Sequence, residues 1–164
     1  MNEKLKDKRN YILSRNENIF DQINFSFSFI DKYLKDEKKI IGILTGNYLK
    51  EKLDISYDEK NKVHVLSNKV KEKTIIKKDN YLFEIIPSKH NINNFNYEII
   101  QFLDLFNYLN FEEVMAHKEK IIDYIYKNEF TSLMRNKYFN ICLNEGISNL
   151  INSNIFYEFI EVDE

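Results

Sequence analysis

The chain has 164 residues, 43% hydrophobic, 15% aromatic and 30% charged, which suits one soluble domain with a single core and excludes disorder along its whole length. Cys142 is the only cysteine, so no internal disulfide can form, and no run approaches the roughly 20 uninterrupted apolar residues of a membrane helix. Net charge is −2, but residues 1–90 hold 19 Lys/Arg against 14 Asp/Glu and residues 91–164 hold 5 against 12, a polarity that points to an oriented partner or nucleic acid at one end.

One Pro, three Gly, no Trp and a single Ala stand against abundant Asn, Lys, Ile, Phe and Tyr, the imprint of a low-GC genome. The opening "MNEKLKDKRNYIL" is charged where a secretory signal would be apolar. The expected setting is reducing cytoplasm, of a bacterium or of a cell hosting a virus.

Phe20, Ile23, Phe27, Ile30 and Leu34 recur at helical spacing, which outweighs the shorter strand-like alternation of "INFSFSFI" and predicts an amino-terminal helix within residues 1–38. That choice strands Phe25 among polar residues, as a buried filler or a partner contact.

From "KKIIGIL" the rhythm changes. Ile40–Leu44 suits a buried strand, and "GILTGN" reads as a tight turn without phosphate-loop spacing. Leu53, Ile55 and Tyr57 alternate, and Val63 and Val65 resume after Asp58–Asn61, a hairpin pattern. "VKEKTIIKKDNYLFEII" predicts a second hairpin turning at Lys78, Asp79 and Asn80, closed by Pro87. Four or five mostly antiparallel strands are expected over residues 39–87, as a meander.

After a polar linker at 88–94, residues 94–154 read as three or four helices. "YEIIQFLDLFNYLNF" is apolar on nearly every side and should be the central helix. In "EEVMAHKEKIIDYIYKN", Val114, Met115, Ile121, Ile122 and Ile125 share a side, with Glu112 and Glu113 in the first turn. A third helix carries Phe130, Leu133, Met134, Tyr138, Ile141 and Cys142 inward, and Gly146 is placed to end it in the left-handed conformation. Residues 155–164 form an acidic tail, as a closing strand or short helix. Strands in one block and helices in another define an α+β class and a single domain over 1–164.

Chemistry is sparse. His64 alternates with Val63 and Val65 and is expected in solvent; His90 stands in a loop. His117 lies four residues from Glu113, within reach for a surface ion pair, but no third ligand at metal spacing accompanies them. Cys142 reads as a small buried hydrophobe rather than a nucleophile. No metal or cofactor is expected.

Binding features are clearer. Lys69, Lys71, Lys73, Lys77 and Lys78 cluster ahead of Tyr81 and Phe83, and Lys71, Lys73 and Lys77 would share a strand face with Ile75. Such a ribbon could track phosphates, or simply guard a sheet edge against aggregation. Glu158, Glu161, Asp163 and Glu164 form an acidic run among Phe156, Tyr157 and Phe159, either a charge mimic of nucleic acid or a solvated end. The expectation is a small intracellular, non-enzymatic binding protein acting by protein–protein contact, of the kind a phage or virus encodes to inhibit a host enzyme or defence complex. Its partner surface would comprise Phe25, Lys71, Lys73, Lys77, Lys78, Tyr81 and the acidic tail, against a protein or ribonucleoprotein. The alternatives are a nucleic-acid-binding accessory protein using the basic hairpin, and an enzyme whose site is scattered in sequence.

Overall fold

The computed structural model describes residues 28–130 and 137–160. The chain divides into two compact units, residues 1–32 and 33–164. The described part of the first begins with a 3-10 turn, Ser28–Ile30, followed by one α-turn, α1 (Asp31–Leu34). The helix expected to reach residue 38 therefore stops at Leu34. Lys35–Asp36 (β1) pairs antiparallel with Lys39–Ile40 (β2), and Glu37 turns between them with φ 52°, a left-handed conformation no α-helix sustains. Phe25 lies outside the described residues.

The fold is mixed α+β. Its larger sheet comprises β3 (Gly42–Thr45), β4 (Lys62–Ser67), β5 (Thr74–Lys78) and β6 (Tyr81–Pro87), in the order β3-β4-β6-β5. The β5–β6 hairpin forms as expected, with Lys78 opposite Tyr81 across the Asp79–Asn80 turn. A simple meander would set β5 beside β4. Instead β6 inserts between them, parallel to β4. Composition explains the swap: Phe83, Glu84 and Ile85 of β6 are buried, whereas β5 carries exposed Ile75, Lys77 and Lys78. The apolar strand takes the interior, and the lysine strand takes the edge, where charge discourages further pairing.

Leu53–Tyr57 is not a strand. α2 (Asn47–Lys52) follows β3, and the chain then loops to β4. Leu53 and Ile55 are buried, Ile55 N–H donates to Lys50 O at 2.7 Å, and the Asn47 amide donates to Glu59 O and Lys62 O. Their alternation reflects two plugs into the core, with the loop's backbone satisfied by a helix end and an amide rather than by a ladder.

One sheet face sets Ile43, Leu66 and Ile86 against the helical core. The opposite face, with Leu44, Val63, Val65, Phe83 and Ile85, is buried as well. The central helix is α3 (Tyr97–Leu105), buried from Ile99 to Leu105. Phe102 centres an aromatic cluster, its ring 5.5 Å from Phe106, 5.6 Å from Tyr124 and 5.7 Å from Phe130.

The next helix is two helices, α4 (Phe111–Ala116) and α5 (Lys118–Lys127), parted at His117, whose φ of −116° leaves the helical range. Met115 consequently faces solvent rather than the core. Asn110 and Glu113 form a capping box that fixes where α4 starts. Phe130, Tyr138, Ile141 and Cys142 are buried, with a 3-10 turn at Phe139–Ile141; Leu133 and Met134 lie outside the described residues.

Gly146 does not terminate a helix. It sits inside α6 (Asn144–Asn152), where a Cβ would stand 2.9 Å from the Phe106 carbonyl oxygen. Close backbone approach, rather than a left-handed φ, is what this position requires. Residues 155–160 form α7 (Ile155–Ile160), the short helix of the two expected forms, packed against α5 and α6.

Residues 88–94 are not a loose linker. Asn68 exchanges two hydrogen bonds with the Ile92 backbone at 2.8 and 2.9 Å, mimicking a strand pair. Asn94 does the same for β2, accepting from Ile40 N and donating to Lys38 O. Asparagines that read as mutational bias serve as backbone surrogates. No helix among the described residues is long and apolar enough to cross a membrane.

Candidate functional site

Strand register sets a transverse row on the face of the sheet that meets the helices. Thr45 pairs with His64, His64 with Glu84, and Glu84 with Ile75. The neighbouring row, Ile43, Leu66 and Ile86, packs against the helical core, and the polar row lies beside it on the same face. Its residues acquire partners both from within the sheet and from beyond it. The Thr45 hydroxyl donates to Oδ2 of Asp104 on α3, and the Asn107 amide donates to Oδ1 at 2.9 Å. Glu84 receives Lys62 at 3.2 Å on one oxygen and Lys73 at 2.8 Å on the other. The His64 ring lies 4.5 Å from that of Tyr108.

Burial sets the electrostatics. It drives the His64 imidazole down to about 4, leaving it neutral at pH 7. Nδ1 of His64 is inaccessible and has no hydrogen-bond partner; it faces Gly46, where an added Cβ would stand only 2.7 Å away. An unpaired buried N–H costs more than an unpaired lone pair, so the proton belongs on Nε2. Burial lifts the Asp104 carboxyl to about 6 against the hydrogen bonds from Thr45 and Asn107. Burial also acts to raise Glu84, but the hydrogen bonds and charges of Lys73 and Lys62 outweigh it, and the group is lowered.

Three adjoining depressions share Tyr108 as a wall. A polar cleft of about 620 Å³ holds His64, Lys50, Lys62 and Glu113. A mainly apolar pocket of about 280 Å³ lies beyond Glu84, bounded by Leu66, Ile86, Ile141 and Leu143 with Asp104 and Ser88 among its polar groups. A third hollow of about 370 Å³ runs along Phe106–Asn110 to Leu143 and Glu145. Leu143 is 55% exposed, an apolar side chain standing at the rim of two of them. Together they make a groove around the α3–α4 connection.

The structure disperses the expected partner surface. Lys71, Lys77 and Lys78 are exposed and Tyr81 is half-buried, its ring 6.3 Å from that of Phe83. Lys71 and Lys73 precede β5 rather than sharing its face, and Lys73 is committed to Glu84. Glu158 accepts a hydrogen bond from the Tyr126 hydroxyl at 2.5 Å; Glu161, Asp163 and Glu164 lie outside the described residues.

His64, expected in solvent, is 6% exposed. Both faces of its sheet are covered, so alternation with Val63 and Val65 says only which side it occupies. Glu113 binds Lys50 at 3.2 Å and the Asn110 N–H, rather than His117. His90 is tied to Asn140 and packs edge-on to Tyr138. Cys142 is buried, its thiol pushed up to about 12 by burial and donating to Leu103 O at 3.2 Å.

Sequence reasoning missed Asp104, Tyr108, Glu84 and Leu143. The one available signal was Asp104 in the mostly apolar run "IIQFLDLF", where a lone carboxylate needs a reason. Phe95 was missed too: 87% exposed, on a loop braced by Asn93 and Asn96. Among the described residues no group of three His, Cys, Asp or Glu is placed to hold a metal ion. Comparison with protein-family models, curated proteins and solved structures finds no match.

Proposed function

We propose that this protein works by holding a segment of a protein partner in the groove around Tyr108. The observation that carries the reading is the meeting of three depressions at one side chain, one lined mainly by apolar and one by polar groups, with exposed Leu143 at the rim. A length of such surface suits an extended chain whose successive side chains differ in polarity, whereas a compact metabolite would need one enclosed pocket. The basic hairpin supports a nucleic-acid reading less well, because Lys73 is held by Glu84 and Lys71 precedes β5 rather than sharing its face.

Affinity capture from the source cell, comparing the wild-type chain with Tyr108→Ala and Leu143→Asp, tests the proposal. A protein retained by the wild type and lost by both folded variants supports it. Equal retention by all three defeats it.

A second reading, acid–base catalysis, is favoured by one observation: neutral His64 beside Glu84 at the cleft wall. It predicts turnover that His64→Gln abolishes while the thermal midpoint stays close to wild type.

A further inference from the structure

Four Asp, Glu, Lys or His side chains are buried among the described residues: Lys50, His64, Glu84 and Asp104. Lys50 has Glu113, Glu84 has Lys62 and Lys73, and His64 escapes the problem by staying neutral. Asp104 is the exception. It is 5% exposed and accepts from a hydroxyl and an amide, both uncharged, with no ion pair among the described residues. Buried carboxylates are ordinarily matched by a cation, because neutral donors recover only part of the hydration lost.

The space beside it has a definite chemistry. Asp104 lines the 280 Å³ pocket, whose walls are Leu66, Ile86, Ile141 and Leu143. Ser88 lines the same pocket, and its hydroxyl oxygen is inaccessible to solvent and without a hydrogen-bond partner. An apolar sleeve with a carboxylate that forms no ion pair, feels only the more distant charge of Lys89, and has an unused hydroxyl nearby calls for an alkyl stem ending in a compact group that carries positive charge and several donors. A primary alkylammonium has that form. Guanidinium fits less well: one acceptor position on each carboxylate oxygen is already taken, which crowds the paired in-plane approach its fork makes.

We propose that this pocket receives the side chain of a lysine from the partner segment, its methylenes between Ile86 and Leu143 and its ammonium against Asp104 and the Ser88 hydroxyl. The inference rests on the groove reading above and names the residue the groove selects. Lys89, at the same pocket, is exposed and contributes a competing positive charge from the rim.

The probe is n-butylamine, the lysine side chain without its backbone, titrated at pH 7.5 into the whole protein and followed by amide chemical shifts. Millimolar affinity is expected for a ligand of this size, with shifts confined to residues around Asp104 and Ser88. n-Butanol, equal in length and uncharged, should bind at least about tenfold more weakly, as should n-butylguanidine. Asp104→Asn should remove the preference for amine over alcohol, and Lys89→Ala should leave it or strengthen it. Equal binding of amine and alcohol to the wild type overturns the proposal without any variant having to fold. Guanidine binding as well as amine, or amine binding that appears only after Lys89 is removed, overturns it too. Loss of partner capture in Tyr108→Ala and Leu143→Asp alongside a failed amine titration would leave the groove standing and remove only the lysine.

Discussion

The hydroxyl of Thr45 donates to Oδ2 of Asp104 across 59 residues of chain, joining the last residue of β3 to the buried side of α3. Thr45→Val keeps the shape and deletes the donor. A buried hydrogen bond to a charged acceptor is worth about 1.5–3 kcal/mol, so urea unfolding should show a loss of that order. The Asp104 carboxyl should rise further above its ordinary range, which carboxyl-carbon shifts would register. An unchanged titration would mean that this hydroxyl does not support the charge.

Two buried groups give opposite pH dependence within one window. His64 is lowered from 6.5 to about 4, so its stabilising neutrality is lost as pH falls from about 6.5 to about 4. Asp104 is raised from 3.8 to about 6, so its destabilising charge disappears as pH falls from about 6 to about 4. Each amounts to about 3 kcal/mol, and between pH 4 and 6 they offset one another. His64→Gln should therefore gain stability on acidification relative to wild type, and Asp104→Asn should lose it. Urea midpoints at pH 4.5 and 6.5 decide; parallel profiles for the two variants would contradict the assignment.

Gly146→Ala separates helix propensity from packing. In a free helix the change would stabilise by about 1 kcal/mol. Here the methyl would press on the Phe106 carbonyl oxygen at 2.9 Å, and backbone cannot swing aside as a side chain can. A destabilisation of about 1–3 kcal/mol is expected by chemical denaturation; a rise in stability would show that α6 can shift away from the loop after α3.

Lys73→Met should weaken the fold by roughly 1 kcal/mol, because it leaves Glu84 with Lys62 alone. Lys71→Ser, at an exposed position, should be neutral within about 0.5 kcal/mol. Thermal midpoints of the two variants, measured together, test whether these neighbouring lysines differ as their partners say. Equal midpoints would return Lys73 to the solvated row read from sequence.

Legibility followed the kind of pattern involved. The β5–β6 hairpin and the central helix were readable because each is encoded by local rhythm: turn residues between alternating runs, and apolar side chains on every side of a helix. Leu53–Tyr57 misled because alternation is also produced by two residues dipping into a core from a loop. His64 misled because a strand covered on both faces buries its polar positions along with its apolar ones. Gly146 carried a helix-ending signal whose true cause, a carbonyl oxygen 2.9 Å from where its Cβ would be, lies forty residues away at Phe106.

By itself the sequence determined the class, mixed α+β, with one core-forming helix from Tyr97 and a lysine-bearing strand suited to an edge, but not the helix Asn47–Lys52 set among the strands. Those properties depend on residues within a turn or two of one another, where periodicity and propensity act. Tertiary structure alone decided the site. The row Thr45–His64–Glu84 exists because β6 lies parallel to β4, and Asp104, bonded to Thr45 and Asn107, has no ion pair among the described residues. Register and the pairing of buried charges are settled by contacts between distant segments, and no local pattern records which distant segment arrives.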